Sequence, residues 1–328
     1  MHSAKIDVPV LLIFFCRPQT TAKVFEQIKR ARPSKLFLYQ DGPRTDRPDD
    51  LAKVMECRRI VEDIDWECEV NKCYQDKNVG CDPSEFIAQK WAFNHVDRCI
   101  VLEDDDVPAL SFFPFCAELL ERYKDDERIN IICGLNHLGT KGDVPYDYFF
   151  SPYGSITGWA SWKRVIDTWE EHYDYLDDEY AMRIVQKLPA CMDIESHRIV
   201  DAKRKRQQGV PYYETLLGAS NRLHSRLNIV PTKNMISNIG LGEDAAHTTS
   251  GTTEEEGGMF NMKTYDVVFP LKHPKYIVCD IEHVMAVDDI FGRRLTFWGL
   301  WKRRVRIIWK LRNKPNVLLR RLKRRVGR

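Results

Sequence analysis

An apolar segment that ends abruptly in acidic residues constrains the fold of this chain more than any other feature. Residues 99–106 read C-I-V-L-E-D-D-D, so four consecutive carboxylates, Glu103 to Asp106, follow a run typical of a buried strand. These like charges repel one another, and a cation or a polar ligand is needed to offset the repulsion. Carboxylate oxygens suit Mg²⁺ or Mn²⁺, ions that usually share their coordination with a substrate phosphate. The segment therefore predicts a metal and nucleotide-diphosphate site; the alternative is a solvated acidic loop.

Hydrophobic periodicity predicts an α/β framework around that strand. Residues 10–16 form a continuous apolar run, too short for a typical helix, and residues 35–39 form a second one. Between them lies an amphipathic helix that Thr20 or Thr21 is expected to cap. Strand, helix and strand in this order form a βαβ unit, which indicates a parallel sheet.

The alternation continues along the chain. Predicted helices span 48–63, 84–96 and 111–124, and predicted strands span 67–70 and 130–133. The stretch from there to residue 153 is aromatic and loop-like, and later helices are expected at 162–171, 180–188, 195–208 and 211–227, the last beginning at Pro211. Ligands of doubly wound sheets bind at the carboxyl ends of strands, where Asp41, Asn78 and the acidic cluster fall.

The net charge of +2 hides a strong asymmetry between the body and the C-terminal tail. Fifteen of the 50 Lys and Arg residues, and none of the 48 Asp and Glu residues, follow Phe291, so the body is acidic. Aromatic side chains interleave with the basic ones in the tail, residues 291–328, as in an amphipathic helix on an anionic bilayer. Nucleic acid would satisfy the same charge, but no nucleic-acid motif occurs elsewhere, so a membrane is the favoured partner.

The cysteines and the N-terminal sequence bear on the compartment. Ten cysteines are scattered without a C-x-x-C pair, which argues against zinc, and several, such as Cys16 and Cys133, lie inside apolar runs. No signal peptide is recognisable, and no apolar run approaches the length of a membrane span. We expect a cytoplasmic protein, peripheral on the inner face of the cytoplasmic membrane.

Six short strings, taken in order, resemble a known group of enzymes. They are F-F-C-R-P at 14–18, Q-D-G-P-R at 40–44, N-V-G-C at 78–81, V-L-E-D-D at 101–105, G-W-A-S-W at 158–162 and N-I-G-L-G-E-D-A-A-H-T at 238–248. Together they resemble bacterial GT-A glycosyltransferases related to the N-acetylglucosaminyltransferase I family, over about residues 8–250. The resemblance implies a GT-A (Rossmann-like) α/β fold, with a mixed, mainly parallel sheet flanked by helices. We expect this domain over 1–290, its nucleotide-binding half at about 1–135 and its acceptor half at about 136–290.

The resemblance also assigns roles within the acidic cluster. It implies that Asp105 holds Mn²⁺ (or Mg²⁺), that Asp104 faces the ribose or a metal-bound water, and that Glu103 supports the loop. Asp106 stands where the family often has an apolar residue, and the simplest expectation is that it faces solvent. A divalent ion bridging both phosphates would stabilise the charge that develops on the departing nucleotide diphosphate.

Residues after the first strands are expected to bind the nucleotide. The resemblance implies contacts from Arg17 and Asp41 to the uracil and ribose, since Arg donates to carbonyl oxygens and Asp accepts from N–H groups. The alternative is that Arg17 and Asp41 pair with each other as a structural ion pair. Asn78 and Gly80 form a turn in which glycine permits close approach of the backbone to the nucleotide.

The donor sugar is expected to lie beside Gly158 and Trp159. Small residues let the backbone approach a pyranose ring, and the tryptophan offers an apolar face to the C–H surface of the sugar. The alternative is a tryptophan that packs in the core.

An inverting transfer needs a base that takes the proton from the acceptor hydroxyl. Glu214 in P-Y-Y-E-T is the candidate, because relatives tend to carry W-D at this place; alternatively, it complements a helix dipole. Asp244 is the reserve candidate. His247 is expected to bind the metal or the diphosphate, although a lone histidine is more often structural.

The sequence thus predicts a metal-dependent glycosyltransferase, a hexosyl- or N-acetylhexosaminyltransferase. The expected donor is a UDP-sugar and the acceptor a glycan or lipid-linked glycan, with inversion favoured and retention left open. A sugar-phosphate nucleotidyltransferase is the nearest rival, but it would normally carry a glycine-rich loop after the first strand, and F-F-C-R-P-Q-T-T has no glycine. A non-catalytic, membrane-bound sugar-nucleotide binder is the other rival.

Overall fold

An eight-stranded sheet and a two-stranded sheet organise the part of the chain described by a computed structural model, residues 2–185, 192–240 and 260–291, with no side chains described at 184–185 and 192–198. The strands are β1 (Val10–Phe14), β2 (Lys35–Gln40), β3 (Glu69–Tyr74), β4 (Arg98–Glu103), β5 (Asp106–Pro108), β6 (Ile129–Cys133), β7 (Tyr148–Ser151), β8 (Trp159–Trp162), β9 (Leu227–Pro231) and β10 (Ile236–Asn238). The helices are α1 (Pro18–Ala31), α2 (Asp50–Val61), α3 (Cys81–Phe93), α4 (Phe112–Arg122), α5 (Lys163–Ile166), α6 (Glu179–Val185), α7 (Met192–Gln208), α8 (Tyr213–Leu223) and α9 (Ile281–Ile290), with a 3₁₀ turn at Asp174–Asp177.

The large sheet has the strand order β3-β2-β1-β4-β8-β6-β9-β7. Strands β3, β2, β1 and β4 pair in parallel, as do β6 and β9, whereas β8 and β7 run antiparallel to their neighbours. A separate antiparallel pair joins β5 to β10. The predicted mixed, mainly parallel sheet flanked by helices is confirmed. Strands from both predicted halves share the large sheet, and the division into halves stays a prediction.

Apolar runs form the centre of the sheet because both of its faces are covered. Every residue of β1 is buried, and so are the last five residues of β2. Strands buried on both faces have continuous apolar sequences instead of alternating ones. Helix α1 packs against the sheet through Val24, Phe25 and Ile28, which recur at helical spacing.

Several helix boundaries differ from the predicted ones. Thr20 and Thr21 lie inside α1, and their hydroxyls donate to the Arg17 carbonyl oxygen at 3.1 and 2.8 Å. The helix begins at Pro18, whose missing N–H costs nothing in the first turn. Pro211 precedes α8 instead of starting it, and Tyr212 is the N-cap residue.

The predicted helix at 162–171 and the predicted loop before residue 153 were wrong. The segment Trp159–Trp162 is strand β8, inserted between β4 and β6, and the helix after it covers only Lys163–Ile166. Four aromatic or small residues at Tyr148–Ser151 form β7. Both strands are too short and too fully buried to show an alternating pattern, so their sequences alone do not distinguish them from loops or helices.

Two predictions about the compartment concern membrane spans and cysteines. No helix in the described ranges is long and apolar enough to cross a membrane. The nine cysteines within those ranges are all free. The predicted tail helix, from Gly292 onward, lies outside the described residues.

Candidate active site

The acidic cluster lies at the carboxyl edge of the sheet, where β1 and β4 are neighbours. The backbone N–H of Phe15, just after β1, donates to Asp104 Oδ2 at 3.1 Å. The guanidinium of Arg17 forms ion pairs with Asp104 and, at 2.9 Å, with Asp105. Two adjacent carboxylates thus share one cation, and their negative charge raises the pKa of the Arg17 guanidinium further. The ends of β1 and β4 are therefore held together by charge.

Asp106 does not face solvent, contrary to expectation. It is buried, with its Oδ2 accepting from the backbone N–H of Gly158 at 2.8 Å and its Oδ1 accepting from Asn238 Nδ2 at 3.0 Å. The side chain of Asp106 thus connects the loop after β4 to the start of β8 and to β10. These hydrogen bonds repay part of the cost of burying the carboxylate, which is why an acidic residue is tolerated at this position.

Residues 238–240 close over Asp105 from the other side. Asn238 Nδ2 donates to Asp105 Oδ1 at 3.0 Å, and the backbone N–H of Ile239 donates to the Asp105 carbonyl oxygen at 2.9 Å. A Cβ atom on Gly240 would lie 1.8 Å from Asp105 Oδ2, so only glycine fits here. The sequence alone predicts no role for Asn238 or Gly240, because their contacts with Asp105 join parts of the chain more than 130 residues apart.

A cleft of about 430 Å³ opens beside the cluster. Its carboxyl-bearing walls come from Glu85, Glu103, Asp105, Asp106 and Glu214, and its guanidinium groups from Arg17 and Arg222. Other parts of the wall are apolar or carry amides, among them Tyr153, Leu217, Asn221, Phe260, Val287 and Phe291. The cleft therefore has an excess of acidic groups and, in addition, apolar surface, which is the mixture expected of a site for a polar ligand.

Burial raises the proton affinity of several of these carboxyl groups. It raises the pKa of Glu85 to about 8, and it raises the pKa of Asp106 to about 8 with a further contribution from the charge of Asp105. Burial and the charge of Glu85 hold the pKa of Glu103 well above its usual range. Buried carboxylates close to one another must either bind protons or bind a cation. At neutral pH the cluster therefore either keeps protons on Glu85 and Asp106 or loses them on binding a cation.

Glu85 lines the cleft and is a candidate site residue that was not predicted from the sequence. It lies on α3 and is buried; the Cys81 thiol donates to its Oε1 at 3.3 Å, while its Oε2 has no hydrogen-bond partner. In the sequence, Glu85 is a charged residue at helical spacing from Ala88 and Ala92, which share the buried face of α3 with it. That pattern is ambiguous without knowledge of which helix face is buried.

Asp41, Asn78 and Gly80 form a closed hydrogen-bonded corner outside the lining of this cleft. Asp41 is buried and accepts hydrogen bonds from the backbone N–H groups of Gly42, Val79 and Gly80 and from Asn78 Nδ2, at 2.8–3.0 Å. The predicted alternative, an ion pair between Arg17 and Asp41, does not form, because each of the two has other partners. The corner joins the carboxyl end of β2 to the start of α3.

Gly158 and Trp159 make structural contacts within the protein, and the predicted contact with the donor sugar stays a prediction. Gly158 has a φ of 56°, a conformation that favours glycine, and a Cβ atom there would lie 2.6 Å from the Ile236 side chain. Trp159 is only 1% exposed and stacks on Phe93 with ring centroids 6.4 Å apart. The alternative prediction, a tryptophan that packs in the core, describes its position, because β8 lies inside the sheet with both faces covered.

Glu214 lies in the first turn of α8 and lines the cleft, and its contact with an acceptor stays a prediction. Its neighbour Tyr213 is buried and donates through its hydroxyl to Glu103 Oε1 at 3.4 Å, which ties α8 to the end of β4. Asp244 and His247 lie outside the described residues. Within the described ranges, no three His, Cys, Asp or Glu side chains are arranged as a metal-binding group.

The known proteins that this chain resembles are solved structures of low sequence identity to it. No protein-family model and no curated protein matches this chain. Among solved structures, it is similar to 4-diphosphocytidyl-2C-methyl-D-erythritol synthase from Anaerococcus prevotii (12% identity, 53% of this chain and 77% of that one, TM-score 0.33). It is also similar to mouse xyloside xylosyltransferase 1 in its apo form (14%, 68% and 85%, 0.31) and to UDP-glucose pyrophosphorylase complexed with UDP-glucose (11%, 66% and 98%, 0.28). Similarity at this level assigns no activity.

Proposed function

We propose that this chain is a metal-dependent glycosyltransferase that moves a sugar from a nucleotide-diphosphate donor, a UDP-sugar, to a glycan or lipid-linked glycan acceptor with inversion. One observation carries the proposal: Asp105, at the carboxyl edge of a mainly parallel sheet, is held by Arg17 and Asn238 at the wall of a cleft rich in carboxyl groups. Ligands of such sheets bind at this edge. The resemblance of the motif strings adds support.

The donor set suits a hard divalent cation. Asp105, joined by His247 on the resemblance, would hold Mn²⁺ or Mg²⁺, ions that commonly bind to one or two protein carboxylates and complete their coordination with substrate phosphates and water. When bound, the ion would neutralise charge on the departing diphosphate. Arg17 orients the Asp105 carboxylate through their ion pair, because its guanidinium remains charged throughout the physiological pH range.

Glu214 is the proposed base for the acceptor hydroxyl, with Asp244 in reserve. Glu214 shares the cleft with Asp105, so a donor at Asp105 and an acceptor at Glu214 can occupy the same cleft. The position of a base opposite the leaving group is what an inverting displacement requires. Asp41, Asn78 and Gly80 form the corner after β2, and this corner shapes the part of the site that is proposed to bind the nucleotide.

The connection after β1 supports a glycosyl transfer over a nucleotidyl transfer. Strand β1 ends at Phe14 and α1 begins at Pro18, so only three residues join them, and none is glycine. A phosphate-cradling loop needs successive backbone N–H groups and conformational freedom, which this short connection does not offer.

Screening UDP-sugars for hydrolysis with and without Mn²⁺ tests the proposal. A glycosyltransferase that lacks its acceptor is expected to release UDP slowly from its cognate donor, and only when the metal is present. Absence of metal-dependent UDP release from every UDP-sugar, together with formation of a nucleotide sugar from a sugar phosphate and UTP, would establish the nucleotidyltransferase alternative instead.

We also propose that the protein is peripheral on the inner face of the cytoplasmic membrane and that the basic tail, residues 291–328, binds anionic lipids. The proposal rests on the charge separation in the sequence, fifteen basic and no acidic residues after Phe291.

A further inference from the structure

Exposed apolar side chains are concentrated at the end of the described chain. Thirteen large hydrophobic residues are exposed within the described ranges, and seven of them fall between Val268 and Ile290. Single exposed apolar residues are ordinary on soluble proteins, whereas a concentration of them marks an interaction surface.

Two of these residues, Tyr276 and Val278, project outward from a segment that packs along a sheet edge. The backbone N–H of Asp280 donates to the Phe150 carbonyl oxygen at 2.8 Å, and Cys279 forms an isolated bridge with Phe150, so the segment lies beside the edge strand β7. Tyr276 and Val278, each 67% exposed, alternate with the partly buried Ile277, as side chains of an extended segment do.

Helix α9 continues this surface. Ile281 and Met285 are one helical turn apart and are 59% and 43% exposed, while Val284 and Val287 are buried. On the adjacent face of the same helix, Val287 and then Phe291, just beyond the helix end, line the cleft. The helix therefore forms part of the cleft wall and also carries exposed apolar side chains.

The sequence that follows this surface indicates which partner the surface binds. Directly after Phe291 come 37 residues with fifteen Lys and Arg, no acidic residue and three tryptophans. An apolar surface that continues into a basic, tryptophan-containing segment has the chemistry of a lipid–water interface that is negatively charged. The surface itself is not basic, since Asp280 and Glu282 both lie near Lys141, so apolar contact is its contribution.

We propose that Tyr276, Val278, Ile281 and Met285 form a docking surface for an anionic phospholipid bilayer. The inference deepens the membrane part of the proposed function and rests on it. Docking there sets α9 between the bilayer and the cleft, so that a lipid-linked acceptor approaches the cleft from the side of Val287 and Phe291.

The test is cosedimentation of the full chain with vesicles of phosphatidylcholine mixed with phosphatidylglycerol. The variant Ile281→Gln/Met285→Gln is expected to reduce partitioning about tenfold, since it removes two apolar side chains from the interface and glutamine keeps the helix favourable. A matched control is Leu51→Gln/Met55→Gln on α2, where the two residues have the same spacing and are 60% and 46% exposed. That control is expected to partition as the unchanged chain does.

Other outcomes would overturn the inference. Equal partitioning of the α9 variant and the unchanged chain would mean that the basic tail alone binds lipid. Conversion of a dimer to a monomer by the α9 variant, measured by light scattering, would assign the surface to a second copy of this chain. UDP-sugar hydrolysis without vesicles, measured on the same variants, tests the glycosyltransferase proposal separately: its absence in every variant contradicts that proposal and leaves the vesicle result standing.

Discussion

The proposed role of Glu214 as base predicts that its substitution separates binding from turnover. The Glu214→Gln variant is expected to bind UDP with Mn²⁺ normally and to lose metal-dependent hydrolysis of the UDP-sugar by about 10² to 10⁴-fold, because the amide takes up no proton. A control is Glu179→Gln, which also changes a first-turn glutamate, on α6, outside the lining of the cleft. Parallel loss of UDP binding and turnover in the Glu214 variant would contradict its role as base.

Glu85 links the stability of the protein to pH. Burial raises its pKa from 4.5 to about 8, so the folded state holds a proton on this group that the unfolded state loses between those two values. The free energy of unfolding in metal-free buffer is therefore expected to fall as the pH rises from about 5 to about 8. The Glu85→Gln variant is expected to show a smaller fall, measured by urea denaturation at the two pH values. An unchanged pH dependence would show that Glu85 titrates normally.

At the scale of structural elements, the acidic loop depends on the backbone of residues 238–240. A Cβ atom on Gly240 would collide with Asp105 Oδ2, so Gly240→Ala is expected to displace that carboxylate and weaken Mn²⁺-dependent UDP binding by about tenfold or more. Gly142→Ala is the control, because nothing lies within 4 Å of its added Cβ and its φ is not positive. Binding that survives in the Gly240 variant would place the metal away from Asp105.

The elements that the sequence predicted are those whose pattern is long or continuous. The fully apolar β1 and β2 and the amphipathic α1 follow from local periodicity, and so does the position of the acidic cluster at the end of β4. Strand β8 was not predicted, and a helix was expected from its last residue, Trp162, because W-A-S-W is short and its pairing partners, β4 and β6, are remote in sequence. Its burial also explains why Trp159 lies in the core.

The candidate site was assigned partly from local pattern and partly from resemblance. Arg17 and the acidic cluster lie beside recognisable strand ends, whereas the roles proposed for Arg17, Asp105 and Glu214 come from the family resemblance. The hydrogen bonds of Asp106 to Gly158 and Asn238 were not predictable, since they depend on how β5, β8 and β10 meet. Long-range pairing of this kind leaves no local signal, and an acidic residue without an obvious role was therefore expected at the surface.

At the scale of the whole molecule, the separation of charge predicts how the protein divides between water and membrane. Removing residues 292–328 leaves 35 basic against 48 acidic residues, a body that an anionic surface repels. The truncated chain is expected to lose binding to phosphatidylglycerol-containing vesicles by about a hundredfold or more at low salt, while soluble UDP-sugar hydrolysis stays within about twofold.

Ionic strength distinguishes the contribution of the basic tail to membrane binding from the contribution of the apolar side chains on α9. Raising the ionic strength to about 1 M is expected to abolish the contribution of the tail, because screening acts on exposed charges, and to leave the contribution of Ile281 and Met285 in place. Unchanged partitioning of the truncated chain at low salt would contradict electrostatic anchoring by the tail.

The central claim is that Asp105 holds a divalent cation against the diphosphate of a nucleotide sugar, and calorimetric titration of UDP into the protein tests it most directly. The unchanged chain and the surface control Asp125→Ala are expected to bind UDP with Mn²⁺ present and to lose that binding when the metal is removed by EDTA. Asp105→Ala is expected to weaken binding in Mn²⁺ by at least a hundredfold. Binding of UDP that is indifferent to Mn²⁺, or equal binding by the Asp105 variant, would contradict the account.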